Sequence, residues 1–128
     1  MNEKQCTRLV RNRALSIGGP DLATWLDLAS PPCECCGQRE GTERDHRKNR
    51  SQGGLWLPSN IVLLCFLCHR WKTVNPLAAH HAGYAVRSHE EPHRVPLKLW
   101  YTEVEVYLDD KGGFDSNLPA EDNAGHGS

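Results

Sequence analysis

Asp45 and His46 stand side by side in the stretch RDHRKN, residues 44–49. A carboxylate can hold a cation, and an imidazole can move a proton near neutral pH. Together they are two halves of much hydrolytic chemistry. Arg44, Arg47, Lys48 and Arg50 surround them, and such a basic setting suits an anionic substrate such as a phosphodiester. Alone, the dipeptide is an ordinary solvated pair, and its meaning depends on what converges on it. Asn60 and His69 are the next candidates. Each has a bland reading of its own: Asn60 as a turn residue, His69 as a helix-start residue or an extra ligand beside the cysteines.

Those cysteines are the strongest signal in the chain. Cys33 and Cys36 in CECC make one C-x-x-C, and Cys65 and Cys68 in CFLC make another. Two intervening residues let both sulfurs of a knuckle turn toward one ion, and four thiolates suit tetrahedral zinc. The alternative is four buried free thiols. Twenty-eight residues separate the knuckles, more than in a zinc ribbon, and this insert contains Asp45 and His46. Cys35 can replace Cys33 or lie beside it, and Cys6 reads as a lone thiol. A four-thiolate site is usually closed and structural. It would pin two ends of a small fold, and the chemistry must be sought in what it holds.

The rest of the chain must position these groups. Its 128 residues fit one domain, but an apolar fraction of 38% is low, so something besides hydrophobic burial helps hold it. The opening MNEKQCTRLVRNR lacks an apolar signal core, and no run is apolar for long enough to span a membrane. The expectation is a cytoplasmic protein (in a host cytoplasm if phage-encoded), where thiols stay reduced and cysteines mean metal or catalysis more often than disulfides. Net charge is −1, yet the charges segregate. Lys4, Arg8, Arg11 and Arg13 make the start basic, Arg39, Arg70 and Lys72 add to the basic middle, and Glu103, Glu105, Asp109, Asp110, Asp115, Glu121 and Asp122 make the end acidic. A basic body with an acidic tail can bind a polyanion despite near-neutral total charge.

Periodicity predicts a helix over residues 4–15, with Leu9, Val10 and Leu15 inward and the arginines outside, and a second short helix over 21–29. A short strand is expected at 43–47, a loop at 48–59, a buried strand at 61–64 and a helix from Phe66 to Val74. Asn75 is expected to cap a further short helix that closes near Gly83. Within WYTEVEVYLDD, Val104, Val106 and Leu108 alternate with polar residues, as in a half-buried strand, whereas the chain from Gly112 onward has little to bury and reads as disordered. The resulting division is a basic helical extension at 1–30, a zinc-stapled core at 31–84, a strand-containing extension at 85–111 and an acidic tail at 112–128. His80, His81, His89 and His93 fit no ligand spacing and read as surface residues, although a helical turn can bring His80 or His81 near the site. Trp56 and Trp71 read as packing or loop-anchoring residues rather than base-stacking ones.

CECC, RDHRKNRSQGG and LPSNIVLLCFLCHRWKT, in that order and spacing, resemble the HNH endonucleases, the zinc-knuckle branch of the ββα-metal nucleases. The resemblance covers residues 33–73 and is nearest to small HNH proteins of actinobacteria and their phages. It implies a small α+β fold: a β-hairpin plus helix around a catalytic divalent ion, stapled by a structural zinc on Cys33, Cys36, Cys65 and Cys68, with flanking helices and a C-terminal strand. It also implies duties. His46 is the general base, and Asn60 orients the loop or the His46 ring. Asp45 and His69 hold one divalent cation, Mg²⁺ or Mn²⁺, with Ni²⁺ or Zn²⁺ tolerated. Arg44, Arg47, Lys48, Arg50, Arg70 and Lys72 meet phosphates. The implied activity is metal-dependent hydrolysis of DNA to 5′-phosphate and 3′-hydroxyl ends, in phage packaging beside a terminase or in DNA processing. The competing functions are a non-catalytic zinc module that binds nucleic acid or a protein partner, and an inhibitor or decoy built on the nuclease scaffold. Nothing in residues 1–30 resembles a separate target-recognition domain, so sequence specificity is expected to be weak or supplied by a partner, and the acidic end is not part of the catalytic pattern.

Overall fold

The computed structural model describes residues 1–15 and 31–118. Helix α1 (Glu3–Leu15) opens with a reciprocal cap: Gln5 N–H donates to Asn2 Oδ1 at 2.8 Å, and Asn2 N–H donates to Gln5 Oε1 at 3.1 Å. This arrangement satisfies two backbone donors that the first turn leaves unpaired. The buried stripe of α1 is Cys6, Val10, Arg13 and Ala14. Leu9 and Leu15 are only half-buried. Arg13 corrects the expectation that the arginines lie outside, because it is 1% exposed.

The centre is an antiparallel hairpin of β1 (Glu43–His46) and β2 (Ile61–Leu64), in register from Glu43 opposite Leu64 to His46 opposite Ile61. Every residue of β2 is buried, since both faces of the hairpin are covered. Ile61 and Leu63 pack with Cys6, Val10 and Ala14 of α1. Val62 and Leu64 pack with Cys33, Cys65, Tyr84, Leu97, Leu99, Val106 and Leu108. Strand alternation thus sends Arg44 and His46 toward the α1 side, and Glu43 and Asp45 toward the other.

Helix α2 (Phe66–Val74) follows β2 directly and α3 (Pro76–Ala82) follows α2. Asn75 does not cap α3 with its side chain. Its Nδ2 donates instead to Trp71 O at 3.0 Å, closing α2, while Pro76 starts α3 and Gly83, at φ +83°, ends it. The C-terminal strand is shorter than its alternation suggests. Val106 makes an isolated bridge with Leu97, β3 is only Tyr107–Leu108, and Val104 is exposed. The cause is local: Thr102 N–H donates to Leu99 O and Leu99 N–H to Thr102 Oγ1, both at 3.0 Å, which folds residues 99–102 into a turn. Past Gly112 the chain expected to be disordered forms β4 (Phe114–Asp115), paired antiparallel with β3. The helix expected at 21–29 and the last ten residues lie outside the described residues. The molecule is thus a small α+β fold, with a hairpin packed on a helix, flanking helices, a C-terminal strand pair and a four-cysteine cluster.

One buried ion pair locks α1 to the first knuckle. Arg13 Nε and Nη2 donate to Glu34 Oε2 and Oε1, each at 2.8 Å, and both side chains are fully buried. Arg13 also donates to the carbonyls of Pro58 and Ile61 at 2.8 and 2.7 Å. Glu34 accepts further bonds from Leu63 N–H and Tyr101 O–H, both at 3.0 Å.

Candidate functional site

The four knuckle sulfurs gather in one place. The thiols of Cys33, Cys36, Cys65 and Cys68 all lie within 4.8 Å of one another, with Cys36 Sγ 3.8 Å from Cys65 Sγ. Zn–S bonds of about 2.3 Å place the corners of a tetrahedron roughly 3.8 Å apart, so the set fits zinc. Each knuckle turns a backbone amide onto a sulfur: Gln38 N–H donates to Cys36 and Cys68 N–H to Cys65, both at 3.4 Å. Burial pushes the Cys33 thiol up to about 11. Burial also pushes Cys36 upward, but the Gln38 amide and the neighbouring thiols outweigh it and the net shift is down. The first turn needs Gly37 at φ +65°, and a Cβ there would fall 2.4 Å from the Trp100 ring. Cys35, the alternative to Cys33, stands outside the set beside Cys68 and Tyr84. Cys6 is buried in α1, remote from the cluster.

Just beyond the second knuckle, α2 presents His69 and Lys72 to β1. The i, i+3 spacing puts them on one face of the helix. His69 Nδ1 lies 3.1 Å from Asp45 Oδ1 and 3.7 Å from Glu43 Oε1. Lys72 Nζ contacts Asp45 Oδ2 and donates to His46 O at 2.7 Å. These groups open on a cavity of about 300 Å³ whose lining includes Asp45, Asn49, His69, Lys72, Thr73 and His80. A larger groove of about 550 Å³ runs along α1 past Lys4, Arg8, Arg11 and Arg44, but it brings together no histidine, no cysteine and no pair of carboxylates.

His46 faces the other side of β1. Its ring meets Trp56 edge-on at 4.5 Å, and its Nε2 is buried with no hydrogen-bond partner. Burial, then the Arg50 charge, lower its pKa below the ordinary imidazole value, and Lys72 adds to this against the opposing pull of Asp45. The shift favours the neutral form of the ring. Asn60 is buried and ties down the intervening loop. Its Oδ1 accepts from Lys48 N–H at 2.7 Å, and its Nδ2 donates to Lys48 O and Leu55 O at 3.1 Å. Of the two duties considered for Asn60, these bonds serve the loop and not the ring. The same loop needs Gly54, where a Cβ would sit 1.8 Å from Lys48 O.

The basic residues divide. Arg50 and Arg70 are exposed. Arg44 is partly exposed, paired with Glu3 at 2.7 Å and set over the Trp56 ring at 5.3 Å. Arg47 corrects the expectation of a phosphate contact. It is fully buried and donates to four backbone carbonyls, of Gly83, Ser59, Pro92 and Val95, at 2.6–2.9 Å. Lys48 is also buried, at 7% exposure, and is not presented to a polyanion. Lys72 faces Asp45 rather than open solvent. Trp56 and Trp71 pack against His46 and Tyr84 respectively.

Two features beside Asp45 have no place in the sequence reading, and a third is open in it. Glu43 follows from i, i+2 alternation with Asp45, and the contact of Lys72 with Asp45 from i, i+3 spacing with His69. His80 lines the cavity with a buried, unpartnered Nδ1. Of His80 and His81, either of which a helical turn could bring near the site, it is His80 that lines the cavity, which depends on how α3 folds back on α2.

Residues 33–75 match the model of a family described as HNH endonuclease. No curated protein and no solved structure gives a match. The double knuckle, the hairpin and the helix after it therefore form an HNH endonuclease family domain within this chain.

Proposed function

We propose that the chain is a metal-dependent DNA endonuclease that hydrolyses phosphodiester bonds. The observation that carries this reading is the meeting of Asp45 and His69, 3.1 Å apart at the cavity, with His46 next in the chain. Cis ligands at about 2.2 Å from a hard divalent ion lie roughly 3.1 Å apart, so one carboxylate oxygen and one imidazole nitrogen fit Mg²⁺ or Mn²⁺. Such an ion, when bound, stabilises negative charge on the phosphate and on the departing 3′ oxygen. His46 takes the proton from the attacking water. Asn60 keeps the 48–55 loop, and with it the end of β1, in one place. Arg50 and Arg70, both exposed, suit backbone phosphates. The four thiols hold a structural zinc that fixes the ends of this segment.

Plasmid nicking with purified protein tests the reading. Cleavage is expected with Mg²⁺ or Mn²⁺ and not with EDTA, and His46→Ala should lower it by about 10²–10⁴-fold, the usual worth of a general base. Equal nicking by wild type and His46→Ala, or by wild type in EDTA, would refute it.

A further inference from the structure

Both oxygens of the Asp45 carboxylate are engaged. Oδ1 faces His69 Nδ1, and Oδ2 faces the Lys72 ammonium, which also binds the His46 carbonyl. The pair is largely shielded, with side-chain exposures of 12% for Lys72 and 9% for Asp45. Lys72 is therefore not a solvated phosphate ligand but a positive charge seated on the carboxylate proposed to hold the divalent ion. We infer that Lys72 is a resident counter-cation at Asp45, and that a divalent ion reaches the site at full strength only when this ammonium leaves.

The inference rests on the reading of Asp45 and His69 as cation ligands. Its physics is simple. Like charges a few ångströms apart repel strongly where water is scarce, so a divalent ion on Oδ1 and an ammonium on Oδ2 disfavour each other. The lysine can yield, because its stem is flexible and the adjoining cavity of about 300 Å³ gives the head room to turn away. Once released, the ammonium stands in the space that a substrate phosphate must enter. Phosphate would hold it there, so metal and phosphate favour each other's binding, as reciprocal coupling requires. In the absence of both, Lys72 balances the charge of a carboxylate largely shielded from solvent.

The test is calorimetric titration of Mn²⁺ into the zinc-loaded full chain, with no nucleic acid present. Lys72→Gln should bind Mn²⁺ at least about tenfold more tightly than wild type, and Lys72→Arg, which keeps the charge, should bind as weakly as wild type. A second measurement needs no variant. In the wild type, acylation of Lys72 by an amine-reactive ester, followed by mass spectrometry, should speed up several-fold on saturation with Mn²⁺, while the exposed Lys98 does not change. Should Lys72→Gln fail to fold, the acylation result decides alone. Equal or weaker Mn²⁺ binding by Lys72→Gln, or a Lys72 acylation rate indifferent to Mn²⁺, overturns the inference and leaves the cation site standing. If wild type shows no Mn²⁺ binding that Asp45→Ala removes, the cation reading of Asp45 and His69 falls, and this inference falls with it.

Discussion

Replacing Arg13 by Met should come close to unfolding the protein. Met fills much of the arginine stem's volume but removes the guanidinium from Glu34, Pro58 O and Ile61 O. Glu34 keeps two donors, Leu63 N–H and Tyr101 O–H, but loses the guanidinium that balances its charge while fully buried. Breaking a buried pair from one side costs about 3–5 kcal/mol, against a total of roughly 5–15 kcal/mol for a domain of ordinary stability. Glu34→Gln strands the guanidinium instead and should cost a similar amount. The double variant leaves no buried charge at this position, so the penalties should fall short of additive by about 2–3 kcal/mol. Urea unfolding followed by tryptophan fluorescence at one fixed zinc concentration measures all four corners of the cycle. A loss below about 1 kcal/mol for Arg13→Met, or strict additivity in the double variant, would show that the pair does not fasten α1 to the knuckle.

Arg47→Met should destabilise the fold by roughly 2–4 kcal/mol, because four backbone carbonyls lose a shared donor; a stable variant defective only in DNA binding would restore the surface reading of Arg47. Cleavage should decline on acidification with a midpoint below about pH 6.5, since burial and Arg50 favour the neutral His46 ring, and Arg50→Gln should move that midpoint upward in a pH–rate profile. The sign for stability is the same: a histidine whose folded pKa is depressed is neutral in the fold, so its contribution is intact at neutral pH and is lost as pH falls from the unfolded pKa toward the folded one. Purified protein should contain about one zinc per chain by elemental analysis, and Cys65→Ser should lose both the zinc and the cooperative unfolding transition.

Where local pattern and burial agree, the sequence is a good guide. IVLL is apolar throughout because both faces of β2 are covered, and the two C-x-x-C knuckles announce a four-thiol cluster by spacing alone. The helix over Phe66–Val74 has the bounds its pattern predicts. The failures involve charges and turns. Arg13 and Arg47 look like members of basic surface runs, and their burial depends on acceptors that are 12–48 residues away in the chain. No window of local sequence carries that information. Val104 fits an alternating strand, but the Leu99–Thr102 turn takes up the chain before pairing can extend. Phe114 finds a strand partner in a segment too polar to advertise one. At the candidate site, the approach of His69 to Asp45 follows from the family resemblance, whereas the ammonium between Asp45 and His46 O depends on the pitch of α2 against β1.

The two knuckles meet across a segment of twenty-eight residues, 37–64, that contains the whole hairpin and its loop. An ion on the four thiols is thus a cross-link, and much of what a cross-link does is to the unfolded chain, whose freedom it restricts. By loop-closure arithmetic, a link spanning about 30 residues removes roughly 3–4 kcal/mol of chain entropy from the unfolded state. That quantity depends on the length of the enclosed segment and hardly at all on its residues. Doubling the segment would change it by only about 0.6 kcal/mol. The loop between β1 and β2, the part of the chain beside the cavity, can therefore be rewritten or lengthened with little effect on the staple that closes it.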